Sequence, residues 1–222
     1  MIDSLLDFIA PHPCYGCGKV GSPLCGNCKY NIECEPFSAC VECGSVAGKN
    51  GICIPCRTSY TRAWCVGERS DSLQRLVDAY KFERARACHV PLADLLVECL
   101  PELPPETIVI PIPTISAHIR QRGYDHSFLL ARRVAKTMNL TLATPLSRKT
   151  STVQRGSNRR ERIKQAKDAF RLDSPPLLDR PYLLIDDVIT TGSTVQYAAQ
   201  LLKDAGVAEI WVAVVARQVS TK

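Results

Sequence analysis

The most distinctive chemistry in the chain belongs to eight cysteines, spaced as four CxxC pairs within the first 57 residues. Two such pairs supply the four thiolates that a tetrahedral zinc ion needs. A redox role for the pairs is disfavoured, because there are four of them and the surrounding segment has too little apolar pattern to fold without a metal. The predicted zinc ligands are Cys14, Cys17, Cys25, Cys28, Cys40, Cys43, Cys53 and Cys56.

Eight ligands predict two structural zinc ions with no open coordination position. Sequential pairing of the CxxC motifs is the simpler arrangement, and interleaved pairing satisfies the same spacing. The four cysteines outside the pattern are interpreted as small apolar residues.

The first eight residues lack the basic and apolar regions of a signal peptide, and we expect them to form a short amphipathic helix. Without an export signal the expected compartment is the reducing cytoplasm.

A second constellation follows the apolar run Tyr182–Ile185, where Asp186 and Asp187 precede a hydroxyl-rich turn and a helix. Backbone N–H groups at the start of a helix bind phosphate, and a glycine lets the backbone approach it closely. Adjacent carboxylates one sugar length away can accept hydrogen bonds from two ribose hydroxyls. The alternative, a capped helix after a strand that merely ends in acids, leaves two costly carboxylates without a partner. The predicted phosphate-binding residues are Thr190, Thr191, Gly192, Ser193 and Thr194.

The net charge of +6 is concentrated in one segment, because residues 145–171 contain nine basic and two acidic residues. A local basic block indicates a polyanionic ligand, either a phosphorylated metabolite or a nucleic acid or both. A solvated basic face is the alternative. We expect most of this segment to be a mobile loop with a helical part.

The elements that must position these groups follow from the apolar periodicity. Short apolar runs predict strands, and apolar residues at helical spacing predict helices between them, which indicates an open parallel sheet flanked by helices with its ligand at the carboxyl ends of the strands. No apolar run is long enough to cross a membrane. We therefore expect an α/β protein with a cysteine-rich zinc-ribbon domain at residues 1–57 and a second domain at 58–222. The predicted strands are Ala63–Val66, Thr107–Ile112, Leu140–Leu142, Tyr182–Ile185 and Glu209–Val215, and the predicted helices are Leu73–Phe82, Pro91–Leu100, Phe128–Met138 and Val195–Lys203.

The string from Tyr182 to Thr194 resembles the signature with which type I phosphoribosyltransferases bind phosphoribosyl pyrophosphate (PRPP). Further motifs occur in a specific order and make the whole chain resemble the ComF (ComFC/GntX) family. Its members join a zinc-ribbon head to a phosphoribosyltransferase-like domain and are linked to DNA uptake in natural transformation. These motifs are Leu76–Phe82, Pro111–Pro113, Arg120–Tyr124, Thr152–Gln154 with Arg162, Ala169–Phe170, and Arg217.

The resemblance implies a role for each matching residue. Asp186 and Asp187 would bind the ribose 2′- and 3′-hydroxyls, and the turn at residues 190–194 would bind the 5′-phosphate. Lys81 is either a phosphate contact or a solvated residue. The implied pyrophosphate loop consists of Pro111, Ile112, Pro113 and Thr114, with Arg120 and Arg122 as charge partners, and the implied flexible loop contains Arg148, Thr152, Gln154 and Arg162. The implied ligands and partners are PRPP with Mg²⁺, single-stranded DNA and other competence proteins such as a helicase.

The chain departs from the family pattern at two places. Asp125 and His126 replace an amide pair, and Gln165 replaces an asparagine in the flexible loop. Asp125 would place a negative charge near the expected phosphates. The sequence leaves open a DNA-uptake protein that binds PRPP, a metabolic phosphoribosyltransferase with an unidentified acceptor, and a nucleic-acid-binding module without PRPP. The intact acidic pair argues against the last of these.

Overall fold

The computed structural model describes residues 12–148 and 170–218. Its centre is a five-stranded sheet in which all four pairs of neighbouring strands are parallel, in the order β1-β7-β6-β2-β3. Two further strands, β4 and β5, form a separate antiparallel pair. The strands are β1 (Arg62–Glu68), β2 (Ile108–Pro111), β3 (Thr141–Leu142), β4 (Leu146–Arg148), β5 (Phe170–Leu172), β6 (Tyr182–Ile189) and β7 (Ile210–Arg217).

Helices cover both faces of the sheet, as a parallel sheet with apolar strands requires. On one face Leu76, Leu92 and Leu130 pack against Leu183 and Ile185 of β6. The other face is formed by the alternate residues of the central strands and is covered mainly by α6. The helices are α1 (Gly26–Glu33), α2 (Asp71–Phe82), α3 (His89–Cys99), α4 (Ser116–Arg122), α5 (His126–Thr137) and α6 (Ser193–Asp204), with a 3₁₀ turn at Arg86–Cys88.

The predicted open parallel sheet flanked by helices is confirmed, and each predicted strand and helix that falls within the described residues has a counterpart. The main correction concerns β6, which was expected to end before the acidic pair. The strand continues to Ile189, because Asp186 and Val188 pair in register with Val214 and Ala216 of β7. Both carboxylates therefore project from a strand that is hydrogen-bonded on β7, which fixes their backbone.

Two helices, a 3₁₀ turn and one pair of strands were not predicted. Helices α1 and α4 are short and lack an extended apolar stripe, and the β4–β5 pair brackets the basic segment that was expected to be a loop. Leu146 and Phe170 are buried in the core at the two ends of that segment. The predicted N-terminal helix and residues 149–169 of the basic segment lie outside the described residues.

The cysteine-rich head contains two turns with the same backbone geometry. Gly18 donates its N–H to the Cys14 carbonyl at 2.7 Å, and Gly44 donates to the Cys40 carbonyl at 2.8 Å. Both glycines have positive φ, +79° and +77°, where a side chain would be strained. Each turn is closed by one isolated antiparallel bridge. The head is thus a duplicated structural unit.

Contacts from the sheet domain fix both turns of the head. Arg75 of α2 donates to the carbonyl groups of Tyr15 and Gly16 at 2.8 and 2.7 Å. Arg217, at the end of β7, donates to the Val41 carbonyl at 3.1 Å. Across residues 12–148 and 170–218, no helix is long and apolar enough to cross a membrane.

Candidate functional site

The acidic pair lies at the carboxyl end of β6, beside the start of α5 and the end of α2. Asp186 is 9% exposed and Asp187 2% exposed. The Ser127 hydroxyl donates to Asp186 Oδ1 at 3.1 Å. Lys81 Nζ donates to Asp187 Oδ1 at 3.0 Å, and His126 Nε2 lies 3.1 Å from Asp187 Oδ2. Three elements therefore converge on two buried carboxylates.

The two carboxyl groups have different electrostatic environments. Burial and the neighbouring charge of Asp187 raise the pKa of Asp186 to about 7. Burial also acts to raise the pKa of Asp187, but His126 and Lys81 outweigh it and the pKa is lowered. Near neutral pH the Asp187 carboxylate is therefore charged and paired, whereas Asp186 changes its protonation state in this range and loses its proton more readily when a further positive charge or hydrogen-bond donor arrives.

His126 connects Asp187 to an arginine. Arg122 Nη1 lies 2.7 Å from His126 Nδ1. A guanidinium only donates, so Nδ1 is the acceptor, and the ring proton lies on Nε2, which faces Asp187. Burial and the nearby positive charges of Arg122 and Lys81 outweigh Asp187 and lower the pKa of His126, in agreement with a neutral ring. The histidine that departs from the family pattern thus accepts from Arg122 and lies within ion-pair distance of Asp187, whose Oδ2 is buried without a hydrogen-bond partner among the described residues.

Asp125, the other departure, caps a helix. Its Oδ1 accepts from the backbone N–H of Phe128 at 3.1 Å, which satisfies a free donor at the start of α5. The same oxygen accepts from the Thr114 hydroxyl at 2.8 Å. The helix N-terminus and these two donors partly offset the charge of Asp125. Its carboxylate therefore fixes the position of Thr114, at the end of the segment predicted to bind pyrophosphate.

The turn at residues 190–194 joins β6 to α6 and has the geometry of an anion site. Within the described parts of the chain, its backbone N–H groups donate to no protein acceptor. Gly192 has a φ of +71° and precedes the first residue of α6. The hydroxyls of Thr191 and Ser193 lie 3.0 Å apart on the exposed side. Free N–H groups and hydroxyls at a helix N-terminus favour a phosphate.

Some of the other predicted site residues lie beside the acidic pair, and others lie away from it or outside the described residues. Pro111 ends β2, and the Ile112 N–H donates to Ile185 of β6 at 2.9 Å, so this segment lies beside the acidic pair. Arg122 is buried in the network described above, whereas Arg120 is exposed and forms no ion pair among the described residues. Arg148 lies over the Phe170 ring at 5.0 Å. Thr152, Gln154 and Arg162 lie outside the described residues.

The eight predicted cysteine ligands form two groups in the sequential order. In each group the four Sγ atoms lie within 4.8 Å of one another. Cys17 and Cys25 Sγ are 3.6 Å apart, and Cys43 and Cys53 Sγ are 3.5 Å apart. Tetrahedral zinc with Zn–S bonds of about 2.3 Å requires S–S separations of about 3.8 Å. The donor type, number and spacing of each group therefore fit a zinc ion.

Hydrogen bonds prepare one thiol in each group for the thiolate form that zinc requires. Burial raises the pKa of Cys14, but backbone N–H donors from Cys25, Cys17 and Gly16 outweigh it and lower the pKa to about 6. The hydroxyl and backbone N–H of Ser45 lower the pKa of Cys43, also to about 6. Both groups can therefore hold zinc near neutral pH.

A third group of possible metal ligands consists of His126, Asp186 and Asp187. The Lys81 ammonium already pairs with Asp187, and Arg122 lies directly behind the histidine. Because positive charges occupy the surroundings, this group does not fit a resident metal ion. It is better suited to uncharged donors such as hydroxyl groups.

Sequence reasoning missed the roles of several residues at the site. Lys81 is not simply a solvated residue, since it pairs with Asp187. Ser127 carried no signal, because a serine near the start of a helix is common. Glu42 was not considered at all, although its carboxylate lies against Gly192 in the phosphate-type turn. Phe82, beside Lys81, is 67% exposed, and the Arg122 guanidinium lies 5.9 Å from its ring centroid.

Comparison with known proteins identifies this architecture. The family model of the phosphoribosyl transferase domain matches residues 125–222. Competence protein F of Haemophilus influenzae is 31% identical over 207 residues, which cover 85% of this chain and 88% of that protein. DNA utilization protein YhgH of Escherichia coli K12 is 30% identical over 202 residues, with the same coverage of each chain.

Among solved structures, adenine phosphoribosyltransferase from Saccharomyces cerevisiae is similar with a TM-score of 0.36 and 16% identity, over 67% of this chain and 69% of that one. The sheet order, the two groups of four cysteines and the similarity to competence protein F over 85% of the chain agree with the family resemblance of the sequence motifs. The chain belongs to the ComF family, with a phosphoribosyltransferase-type domain that follows an N-terminal pair of four-cysteine clusters.

Proposed function

We propose that this protein binds PRPP with Mg²⁺ and acts in the handling of incoming single-stranded DNA. The observation that supports PRPP most strongly is the buried acidic pair beside a turn whose N–H groups have no acceptor among the described residues. Two carboxylates with restricted water access offer acceptors for vicinal hydroxyls, and the turn offers donors for a phosphate. A 5-phosphorylated ribose carries both vicinal hydroxyls and a phosphate.

The diphosphate of PRPP would extend toward the segment Pro111–Thr114, which Asp125 fixes through the Thr114 hydroxyl. Magnesium would accompany the diphosphate and neutralise its charge, as is usual for Mg²⁺ bound with few protein ligands. Arg148 lies close enough to Asp186 for the carboxylate to influence its pKa, although burial dominates and lowers it. The first residue of the proposed flexible loop is therefore at the site.

The proposed role with DNA rests on the relatives and on charge. The names of the relatives refer to competence and to DNA utilization. The basic segment carries more positive charge than one diphosphate needs. Phe82 adds an exposed aromatic ring at the rim of the site, of the kind on which bases of single strands stack. We further propose one zinc ion in each cysteine group and action in a reducing compartment, the cytoplasm.

Titration with PRPP·Mg²⁺ and with single-stranded DNA, separately and together, tests this proposal. DNA affinity should fall with salt with a log–log slope of about −0.7 per contacted phosphate. Replacement of Arg159, Arg160 and Arg162 by Ala should flatten that slope by roughly two units. PRPP and DNA should weaken each other's binding by the same factor if they share the basic segment.

A triple variant with an unchanged slope would move DNA binding to the cysteine-rich head or remove it from the protein. Binding of PRPP without any DNA binding, together with release of pyrophosphate when nucleobases are added, would favour a metabolic transferase instead.

A further inference from the structure

The cysteine-rich head reaches the proposed phosphate turn through one side chain, Glu42. This residue lies inside the CxxC pair formed by Cys40 and Cys43. A Cβ atom built at Gly192 would lie 2.6 Å from Glu42 Cδ, closer than real Cβ atoms approach other atoms. The carboxylate thus occupies the space that any side chain at position 192 would need. Glycine is required there both for this contact and for its φ of +71°.

The Glu42 carboxylate is held from several directions. The Tyr60 hydroxyl donates to its Oε1. The Gln196 side chain, one turn along α6 from Gly192, lies close enough to act against the burial that raises the pKa of Glu42. Tyr60 is 2% exposed, so its hydroxyl has a fixed position. Glu42 is therefore clamped between the head, the segment before β1 and the first turn of α6.

The backbone around Glu42 is fixed by Arg217. Its Nε donates to the Val41 carbonyl at 3.1 Å, and its Nη2 donates to the Glu42 carbonyl at 3.4 Å. A Cβ at Gly44 would lie 2.9 Å from Arg217 Nη1, so the guanidinium also packs directly on the CxxC turn. The Arg217 charge partly offsets the charge of the carboxylate. Because β7 is paired with β6, this arginine joins the head to the sheet that carries the acidic pair.

A turn that binds phosphate through backbone N–H groups works best when those groups already point to one place. We propose that Glu42 is a positioning residue, which holds the Gly192 turn in its phosphate-binding conformation and thereby makes 5′-phosphate affinity depend on the second cysteine cluster. This inference rests on the proposed PRPP site and assigns part of the head to that site. The opposite effect, repulsion of the phosphate by the Glu42 charge, makes a different prediction for the same variants.

Calorimetric titration with PRPP·Mg²⁺ and with ribose 5-phosphate separates these effects. Glu42→Ala removes the packing against Gly192 and should weaken both ligands by about fivefold to twentyfold, the scale of ordering one or two interface groups. Glu42→Gln keeps the shape and an acceptor for Tyr60, so its affinities should stay within about twofold of the parent. Glu102→Ala, an exposed residue that changes the charge equally, is the matched control.

Two readouts keep the inference separate from folding and from the proposed function. The first readout is the zinc content of every variant. The second is the affinity of Tyr60→Phe, which leaves the sequence of the head unchanged. This variant should bind ribose 5-phosphate about threefold more weakly, because one hydrogen bond is lost. If Glu42→Ala loses zinc, its affinity no longer reports on the turn alone, and the affinity of Tyr60→Phe for ribose 5-phosphate then tests the positioning role. A parent protein that binds neither ligand contradicts the proposed function itself. If the parent binds, two results overturn the positioning role. One is a Glu42→Ala affinity equal to that of the parent, and the other is tighter binding by both Glu42 variants.

Discussion

Asp186 lowers the free energy of unfolding of the protein without ligand. Its carboxyl is buried beside the charged Asp187, and both effects raise its pKa from 3.8 to about 7. Asp186→Asn removes the charge but keeps an oxygen that can accept from Ser127 and from the Asp187 N–H. We expect this variant to be more stable than the parent at neutral pH, by an amount that depends on pH.

The direction and size follow from the two pKa values. The unfolded carboxyl ionises near pH 3.8, whereas the native one keeps its proton until about pH 7. The native protein therefore binds the additional proton between these values, and the parent loses stability as pH rises through this window. One pKa unit corresponds to about 1.4 kcal/mol, which gives about 3 kcal/mol from pH 5 to pH 7. Because Asp186 is already half ionised at pH 7, the full value is not reached and we expect about 2 kcal/mol; Asp187, whose pKa is lowered, is ionised in both states throughout this window and adds no pH dependence there.

Urea unfolding of both proteins with zinc present, at pH 5, 6, 7 and 8, measures this difference. Pairing each variant with the parent at the same pH removes the contribution of groups common to both. Asp187→Asn is the control with the opposite sign, because it leaves Lys81 and His126 without their carboxylate and should destabilise the protein at every pH. A difference between Asp186→Asn and the parent that does not change with pH would refute the electrostatic reasoning.

Two further predictions concern the head and the rim of the site. Elemental analysis should find two zinc ions per chain, and one zinc or none would contradict the assignment. Chelation should unfold the cysteine-rich head while the sheet keeps its circular dichroism, because structural zinc is coupled to folding. Phe82→Leu should weaken a single-stranded oligonucleotide by about 1–3 kcal/mol, the value of one stacked base, and leave an abasic oligonucleotide of equal length unchanged. Equal losses for both oligonucleotides would exclude stacking at Phe82.

Much of the fold could be predicted because its signals are local. The strands β2, β6 and β7 are apolar runs that need burial on both faces, and the helices between them show apolar spacing. The CxxC spacing likewise identifies the eight predicted cysteine ligands from the sequence alone. The end of β6 was placed too early, because the sequence alone does not show that β7 offers hydrogen bonds as far as Arg217.

The parts of the site that could not be predicted depend on contacts distant in sequence. Lys81 reaches Asp187 across 106 positions, and Glu42 meets Gly192 across most of the chain. His126 gave no ligand pattern, since its partners come from α4 and β6. Asp125 was expected to place a negative charge near the phosphates, and its hydrogen bond with the Thr114 hydroxyl, 11 positions away, was not foreseen. Such pairings follow from tertiary packing, on which the spacing of residues carries no information.

The central claim is that the acidic pair binds the ribose of PRPP. Calorimetric titration with PRPP·Mg²⁺ tests it most directly, in the parent and in the variant with both Asp186→Asn and Asp187→Asn. Exposed aspartates changed in the same way, Asp179→Asn with Asp204→Asn, provide the matched control. We predict that the parent and the control variant bind and that the double variant shows no measurable heat, because both carboxylate acceptors are gone. Binding by the double variant with the affinity of the parent would contradict the assignment.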